Sequence, residues 1–522
     1  TLDRVKRVIE LKRDPASFFK KPGRYLSAPF TALSALPMRS RFDVPVAYGR
    51  TNIGQLPQLK SWQMDGGAFI TMPQVYTEDP DQPGPLHANL GMYRIQLSGN
   101  QYVPNEEIGL HYQLHRGIGV HHTKYNQRQE PFLCSIFVGG PPSHAFSAIM
   151  PLPEGLSELT FAGMLAGRRF RYAYRGAGSS RHLLSSDADF VITGEILKDV
   201  KKPEGPFGDH LGYYSLTHDF PVMKVHAVYH RKDPLWHFSV VGRPPMEDSS
   251  FGWLIHELVA PLAAQEFPGL QEIHAVDAAG VHPLLLAIGQ ERYMPFRERK
   301  PEEILAIANR ILGSGQTSLA KFLFIAASDD DPQLDTHDIP RFFQHILERV
   351  DWRRDLHFQT RTTIDTLDYS GSGWNEGSKV VVACRGDQKR SLQAELPANF
   401  ALPAGFRDPQ FCQPGLLAVQ APRFEFSETA RAQAEAFCKS LENINLASIP
   451  LILLVDDPRF TAATVNNFVW VAFTRANPSH DIYGVRSAVE FKHWGCQGPL
   501  VIDARKKPHH APELVPDGAV VK

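Results

Sequence analysis

The sequence predicts a fold of mixed α+β and α/β class, a central β-barrel followed by a C-terminal α/β region with an apparent duplication. Between residues 50 and 290, short β-rich runs recur between turn residues, as in an antiparallel barrel. Beyond them, strand-like runs alternate with helix-length amphipathic ones, as in a parallel sheet covered by helices. That second succession of runs occurs twice.

Residues 1–50 read as a helical and then irregular segment. Its basic side chains Arg4, Lys6, Lys20, Lys21 and Arg24 surround Phe18 and Phe19. A surface helix with a solvated charged face accounts for them, and a membrane-touching element is the alternative. Residues 51–295 form the barrel domain, with strands expected at Phe132–Val138, Phe190–Leu197 and His226–His230. A helix over Phe251–Phe267, apolar at helical spacing and stopped by Pro268-Gly269, is expected to pack on it.

The first α/β unit is assigned to 296–410 and the second to 411–505. The repeated order is a strand (Leu284–Ile288, Leu416–Val419), a helix (Pro301–Leu312, Ser427–Leu441) and a second strand (Phe322–Ala326, Leu451–Val455). An acidic pair (Asp329-Asp330, Asp456-Asp457) and a further helix (Phe342–Val350, Val465–Phe473) complete it, with Asp355 and Asp481 behind. The second copy is expected to serve structure or oligomerisation. The tail, 506–522, lacks periodicity and reads as a flexible or partner-clasping end. Its His509-His510 pair has no carboxylate or cysteine company, so no metal is expected there.

With 522 residues, 43% of them hydrophobic, the chain can build two or three cores. Its 55 basic and 56 acidic side chains create no overall field for nucleic acid or an anionic membrane. The cysteines, Cys134, Cys384, Cys412, Cys438 and Cys496, are odd in number and form no CxxC pair, which predicts reduced thiols. Lacking an 18-residue apolar run and a signal-peptide core in its first 30 residues, the chain is expected in the cytoplasm.

Chemistry is concentrated in Pro203-Glu204-Gly205-Pro206-Phe207-Gly208-Asp209-His210. Two carboxylates stand five residues apart among glycines and prolines that set unusual backbone angles, which predicts acids posed by a stiff irregular loop. A surface turn with solvated acids is the competing explanation. Upstream stand Asn89-Leu90-Gly91-Met92-Tyr93-Arg94, Leu114-His115-Arg116-Gly117, Gly139-Gly140-Pro141-Pro142, Pro151-Leu152-Pro153-Glu154-Gly155-Leu156-Ser157-Glu158 and Phe161-Ala162-Gly163; Gly242-Arg243-Pro244-Pro245 follows downstream. In this order the motifs resemble the UbiD family of prenylated-flavin decarboxylases, from about residue 60 to about residue 290.

The resemblance implies a split β-barrel that binds prenylated FMN, and non-oxidative decarboxylation of an aromatic carboxylic acid. A decarboxylase needs an arginine to anchor a carboxylate, an acid to return a proton and an electron sink that no side chain supplies. By resemblance Arg94, Glu204 and Asp209 are the catalytic network, with Asp209 as proton donor. That role calls for a carboxyl pKa raised by burial or by a like-charged neighbour. Flavin contacts carry over to Met92, Tyr93, Arg94, His111, Tyr112, Gln113, Arg116 and Gly117. The ligands of a divalent Mn²⁺ or Mg²⁺, which with K⁺ holds the flavin phosphate, carry over to Asn89 and Glu158. His115, His121, His122 or water remain as the third ligand, because Gly117 takes the place of the histidine of some relatives.

Between Arg94 and His115 the chain is about five residues longer than shorter relatives, at Ser98–Asn105. The family normally places an α/β domain ahead of the barrel. This chain opens at Thr1 near the following linker, so that domain is expected to be lost or missing from the sequence. The implied substrate is a polyprenyl hydroxybenzoate-type quinone precursor. The duplicated C-terminal region resembles longer, menaquinone-associated members and keeps a naphthoate or heteroaromatic acid as the alternative. Implied partners are a flavin prenyltransferase that supplies the cofactor and further copies of the chain, as a dimer or hexamer. A non-catalytic scaffold is the remaining alternative, against which the intact triad argues.

Overall fold

The structure is a computed structural model and describes residues 3, 6–7, 20–112, 117–150, 152, 157–293, 296 and 298–519, without the side chains of 179 and 259–266. Nine antiparallel strands form one curled sheet, in the order Phe69–Ile70, Ile95–Gln96, Glu107–Leu110, His218–His230, Phe190–Glu204, Phe132–Val138, Gln74–Thr77, Asn89–Gly91, with Gly49–Thr51 added alongside His218–His230. Alternation sorts the faces. Along Phe132–Val138, the side chains of Phe132, Cys134, Ile136 and Val138 enter the barrel interior, while Phe137 packs outside with Phe170 and Leu184.

The sheet does not close on itself: no ladder joins its end strands, Phe69–Ile70 and Asn89–Gly91. The chain crosses this gap at Met92-Tyr93-Arg94, leaving the last strand of the sheet at Gly91 and re-entering next to the first at Ile95. Arg94 is therefore delivered to the seam of the barrel.

Two five-stranded sheets follow. In the first, Leu284–Gly289, Phe322–Ala327 and Gly377–Cys384 run parallel, with antiparallel edges Leu270–Ala275 and Leu356–Thr362. In the second, Leu416–Gln420, Leu451–Val455 and Leu500–Asp503 run parallel between edges Arg407–Gln413 and Ile482–Gly484. Both sheets have the same strand order, and the second adds the hairpin Ser487–Glu490/His493–Cys496. One core joins them: Phe343 of helix Ile339–Arg349 stacks on Phe473 of helix Val465–Arg475, with Phe324 edge-on to both.

Two expected boundaries shift. The barrel domain was expected to run to 295, but Leu270–Ala275 and Leu284–Gly289 belong to the first α/β sheet, because the apolar run at 284 pairs in parallel with Phe322–Ala327. The tail expected to be flexible is held from Lys506 onward by specific bonds. The buried Lys507 ammonium pairs with Asp481 at 3.1 Å and donates to Arg475 O at 2.8 Å, and Glu513 pairs with Arg475 at 2.7 Å.

Of the expected basic N-terminal face, Lys6 pairs with Glu257 at 3.0 Å, while Arg4, Phe18 and Phe19 lie outside the described residues. The cysteines are free, and all but Cys412 are buried. Among the described residues no helix is long and apolar enough to cross a membrane.

Candidate active site

The long strand Phe190–Glu204 ends in Glu204, which pairs with His218 in the ladder. The short hairpin Phe207–Gly208/Tyr214–Ser215 then carries Asp209 in its turn. Of the expected irregular loop, Pro203-Glu204 and Phe207-Gly208 ride on strands, and Gly205-Pro206 and Asp209-His210 remain outside them. Gly205 adopts φ 91°, a region closed to most side chains. Gly66 must be a glycine too, since a Cβ there would lie 2.1 Å from Gly205 O.

Three side chains hold the backbone of this segment. Asn100 Nδ2 donates to Pro203 O at 2.9 Å and to Gly205 O at 2.8 Å; Gly205 N donates to Gln96 Oε1 at 2.9 Å and Gly208 N to Asp65 Oδ1 at 2.8 Å. Asn100 belongs to the Ser98–Asn105 extension, so that extension braces the site.

Arg94 meets both acids. Its Nε and Nη2 donate to the two oxygens of Glu204 at 2.9 and 2.8 Å, and its Nη1 donates to Asp209 Oδ2. The guanidinium lies over the Phe207 ring, 4.7 Å from its centroid. Glu204 is fully buried, and Arg94 and Asp209 are nearly so. His111 completes the network through an Nδ1 contact with Glu204 Oε2 at 3.1 Å, its ring stacked on Phe220 at 4.0 Å. His111, expected on the flavin, thus also stands beside Glu204.

The electrostatics differ from the expectation for a proton donor. Burial alone would raise the pKa of Glu204, but Arg94 and then His111 outweigh it and bring it down to about 2. Burial is likewise overcome at Asp209 by the hydrogen bond from His210 and the charge of Arg94, and its pKa is lowered. The neighbouring His210 is shifted the other way. His210 donates to Asp209 Oδ1 from its backbone N at 2.8 Å and approaches it through Nδ1 at 2.9 Å. Burial works against its charge, yet Asp209, with Asp248 and Asp365 farther off, pushes its pKa up to about 9.

Folding stability should follow His210. A base whose pKa rises from 6.5 to about 9 contributes fully below pH 6.5 and loses that contribution as pH climbs through about 9. The melting temperature of the chain should fall across this window, and less steeply in His210→Gln; thermal melts of the two proteins at pH 6, 7.5 and 9 check this.

The first α/β unit supplies a further wall. His282 Nδ1 contacts Asp365 Oδ2, its ring 6.1 Å from that of His210. Tyr369 accepts a hydrogen bond from Leu216 N at 2.9 Å and stacks on His218. Sequence reasoning missed His111 as a partner of Glu204, and missed Asn100, His282, Asp365 and Tyr369. His210, adjacent to the motif's acid, was the legible one; Asp365 stands among ordinary loop residues and gives no signal.

A second group gathers around Asn89. The Glu158 carboxylate accepts from Leu90 N at 2.9 Å, which brings it beside Asn89. Asn89 Nδ2 is buried without a partner among the described residues, and a Cβ on Gly117 would fall 2.3 Å from Asn89 Oδ1. Glu158 starts helix Glu158–Ala166 behind the N-cap Ser157. Burial raises its pKa to about 7 against two backbone hydrogen bonds. An amide and a carboxylate, hard oxygen donors with no basic side chain bonded to either among the described residues, fit a divalent cation such as Mn²⁺ or Mg²⁺. Of the candidate third ligands, His121 bonds Thr77 Oγ1 at 3.0 Å, and Thr77 pairs with Asn89 in the sheet. His122 turns to Tyr112 and stacks on Phe132. His115, with Gln113 and Arg116, lies outside the described residues.

The remaining flavin candidates divide between these groups. Met92 packs with Leu90 and Phe137 on the outer face, whereas Tyr93 and Tyr112 meet edge-on at 6.2 Å in the barrel interior.

Two family models cover most of the chain: the 3-octaprenyl-4-hydroxybenzoate carboxy-lyase Rift-related domain over residues 40–244, and the C-terminal domain of the same carboxy-lyase over 249–384. A protein of Chlamydia trachomatis is 36% identical over 520 residues, 99% of this chain and 84% of that protein. A Chlamydia pneumoniae protein, named as one of the subunits of a 4-hydroxybenzoate decarboxylase, is 36% identical over 509 residues, 97% of this chain and 79% of that protein. Among solved structures, Sedimentibacter hydroxybenzoicus vanillic acid decarboxylase in closed form superposes with TM-score 0.58 at 19% identity, covering 72% of this chain and 79% of the other. The UbiD-class enzyme HmfF of Pelotomaculum thermopropionicum in complex with FMN superposes with TM-score 0.55 at 20% identity, covering 68% and 76%. The chain belongs to the UbiD family of carboxy-lyases.

Proposed function

We propose that the chain is a non-oxidative decarboxylase of an aromatic acid, with Arg94, Glu204 and Asp209 as its catalytic residues. The observation that carries this reading is the buried Arg94 fork, bidentate on Glu204 and bonded to Asp209 at the barrel seam. A charged network so deep in protein is costly to assemble and adds little stability over an apolar core. Arg94 retains its charge at any pH and, with three of its five N–H groups on Glu204 and Asp209, has one left on each of Nη1 and Nη2 for a substrate carboxylate. Glu204, held ionised, fixes the guanidinium in place. A third negative charge arriving at Arg94 competes for it and lifts the Asp209 pKa, so that the proton on His210 moves to Asp209 and from there to the vacated carbon.

Prenylated FMN, when bound, supplies the electron sink. Among the described residues Met92, Tyr93, Arg94, His111, Tyr112 and Gly117 would contact it, and Asn89 and Glu158 would hold Mn²⁺ or Mg²⁺, with K⁺ alongside, at its phosphate. The cation can be tested apart from activity. Because the Glu158 pKa rises from 4.5 to about 7 on folding, stability falls as pH rises through that window, and a bound cation reverses the loss by favouring the carboxylate. Added Mn²⁺ should raise the melting temperature more at pH 7.5 than at pH 5, and Glu158→Gln should remove the difference; calorimetric melts with and without Mn²⁺ decide it.

A hydroxybenzoate-type quinone precursor is the favoured substrate. Support comes from the Chlamydia pneumoniae relative's name and from the His282–Asp365 pair beside His210, suited to a phenolic oxygen. Naphthoate and heteroaromatic acids are the alternatives a substrate panel separates. Cytoplasmic residence, cofactor supply by a flavin prenyltransferase and assembly as a homo-oligomer complete the proposal.

A further inference from the structure

We propose that the second α/β unit is part of the reaction centre's support: Trp470 and Arg475 act as positioning residues for the turn that presents Asp209. The inference rests on the reading of Asp209 given above. The turn closes through Asp209 N donating to Tyr213 O at 3.0 Å and Gly212 N donating to Asp209 O at 3.0 Å. Its outer side is gripped by residues beyond 384, where the family-model match ends. Trp470 Nε1 donates to Leu211 O at 2.8 Å, and its ring stacks on Tyr213 with centroids 5.1 Å apart and an interplanar angle of 12°. The Tyr213 hydroxyl contacts Thr474 Oγ1 at 3.1 Å and accepts from Arg475 Nε at 3.1 Å. Arg475 is itself fixed by Glu513 at 2.7 Å and Asp456 at 3.3 Å. From the C-terminal segment, Leu514 N donates to Gly212 O at 3.0 Å and Pro512 O accepts from Tyr214 N at 2.9 Å.

An open cleft of about 340 Å³, lined by Gly212, Arg243, Phe460, Trp470 and Lys506 among others, adjoins the turn, and at its edge Gly212 packs so closely that a Cβ would lie 2.9 Å from Arg243 and 3.1 Å from Trp470. Directional hydrogen bonds from a rigid element add to that packing: Trp470 and Arg475 both sit on helix Val465–Arg475, and Trp470 belongs to the core shared by the two α/β units. A carboxylate that must meet Arg94, His210 and a reacting carbon tolerates little displacement, which gives the second copy a task in catalysis.

The test uses the full chain coexpressed with a flavin prenyltransferase, comparing wild type with Trp470→Phe, which keeps the stack and removes the N–H, and Tyr213→Phe, which removes the hydroxyl held by Arg475. Amide hydrogen exchange at 209–214 is expected to accelerate about 5- to 10-fold, the worth of one buried hydrogen bond, while helix Ile339–Arg349 is unchanged. In the same proteins kcat should fall by a similar factor, KM should hold, and the pH–rate limb governed by the Asp209–His210 pair should shift. Unchanged exchange at 209–214 in both variants overturns the proposal, as does accelerated exchange with wild-type kcat and pH profile. A wild-type protein that releases no carbon dioxide overturns the decarboxylase reading instead, and exchange alone then judges the grip.

Discussion

Replacing Arg94 with alanine is expected to lower kcat/KM for decarboxylation by on the order of 10²-fold or more, because the charge that holds the substrate carboxylate in the transition state is gone. The same change leaves Glu204, fully buried, with only His111 beside it. Breaking a buried pair from one side costs about 3–5 kcal/mol, so the variant should melt well below wild type unless Glu204 takes up a proton. Loss of Arg94 removes the main influence holding the Glu204 pKa near 2, and the carboxyl should titrate closer to neutrality. Adding Glu204→Gln to Arg94→Ala should therefore recover part of the stability and none of the activity. Denaturant unfolding of the single and double variants reads the first effect and steady-state kinetics the second.

Asp209→Asn is expected to lower kcat by about 10²- to 10⁴-fold, the range for losing a positioned proton-transfer group, with KM changed far less. The amide keeps a single accepting oxygen, so it can bond Arg94 or His210 but not both as the carboxylate does, and it cannot pass a proton on. With the carboxylate neutralised, the chief support of the His210 charge disappears, and its pKa should drop from about 9 toward 6.5. Proton NMR of the imidazole resonances across pH 5–10 checks the shift. A His210 that titrates as in wild type would mean that the Asp209–His210 pair is not electrostatically coupled.

How much of this was legible in the sequence depended on whether the signal was local. The β-rich run Phe132–Val138 and the apolar runs Phe322–Ala327 and Leu451–Val455 read directly as strands, since burial on both faces leaves its mark on consecutive residues. The strand order common to the two α/β sheets follows from a succession of runs also visible in the chain. Glu204, Asp209 and Arg94 stood out because glycines and prolines surround the acids and a motif carries the arginine. The pKa of Asp209 could not be foreseen. It depends on whether Arg94 and His210 lie near enough to outweigh burial, a matter of tertiary distances.

The contributors from afar were invisible for the same reason. Asn100 sits in an extension whose composition reads as an ordinary turn, and its two bonds to Pro203 O and Gly205 O exist only once the barrel curls. The anchoring of the tail, expected to be a flexible or partner-clasping end, was not legible because its prolines and histidines lack periodicity, although Lys507 finds a buried aspartate and Pro512 and Leu514 bind the hairpin that carries Asp209 through backbone groups that carry no sequence signature.

The measurement closest to the central claim is carbon dioxide release by the flavin-loaded chain in D₂O, from a panel of hydroxybenzoic, naphthoic and heteroaromatic acids, with Arg94→Ala in parallel. The account predicts that at least one acid gives carbon dioxide and an arene carrying a single deuterium where the carboxyl was, and that Arg94→Ala forms both at no more than about a hundredth of the wild-type rate. Flavin-loaded wild type that decarboxylates no acid in the panel, or an Arg94→Ala protein as fast as wild type, would contradict it.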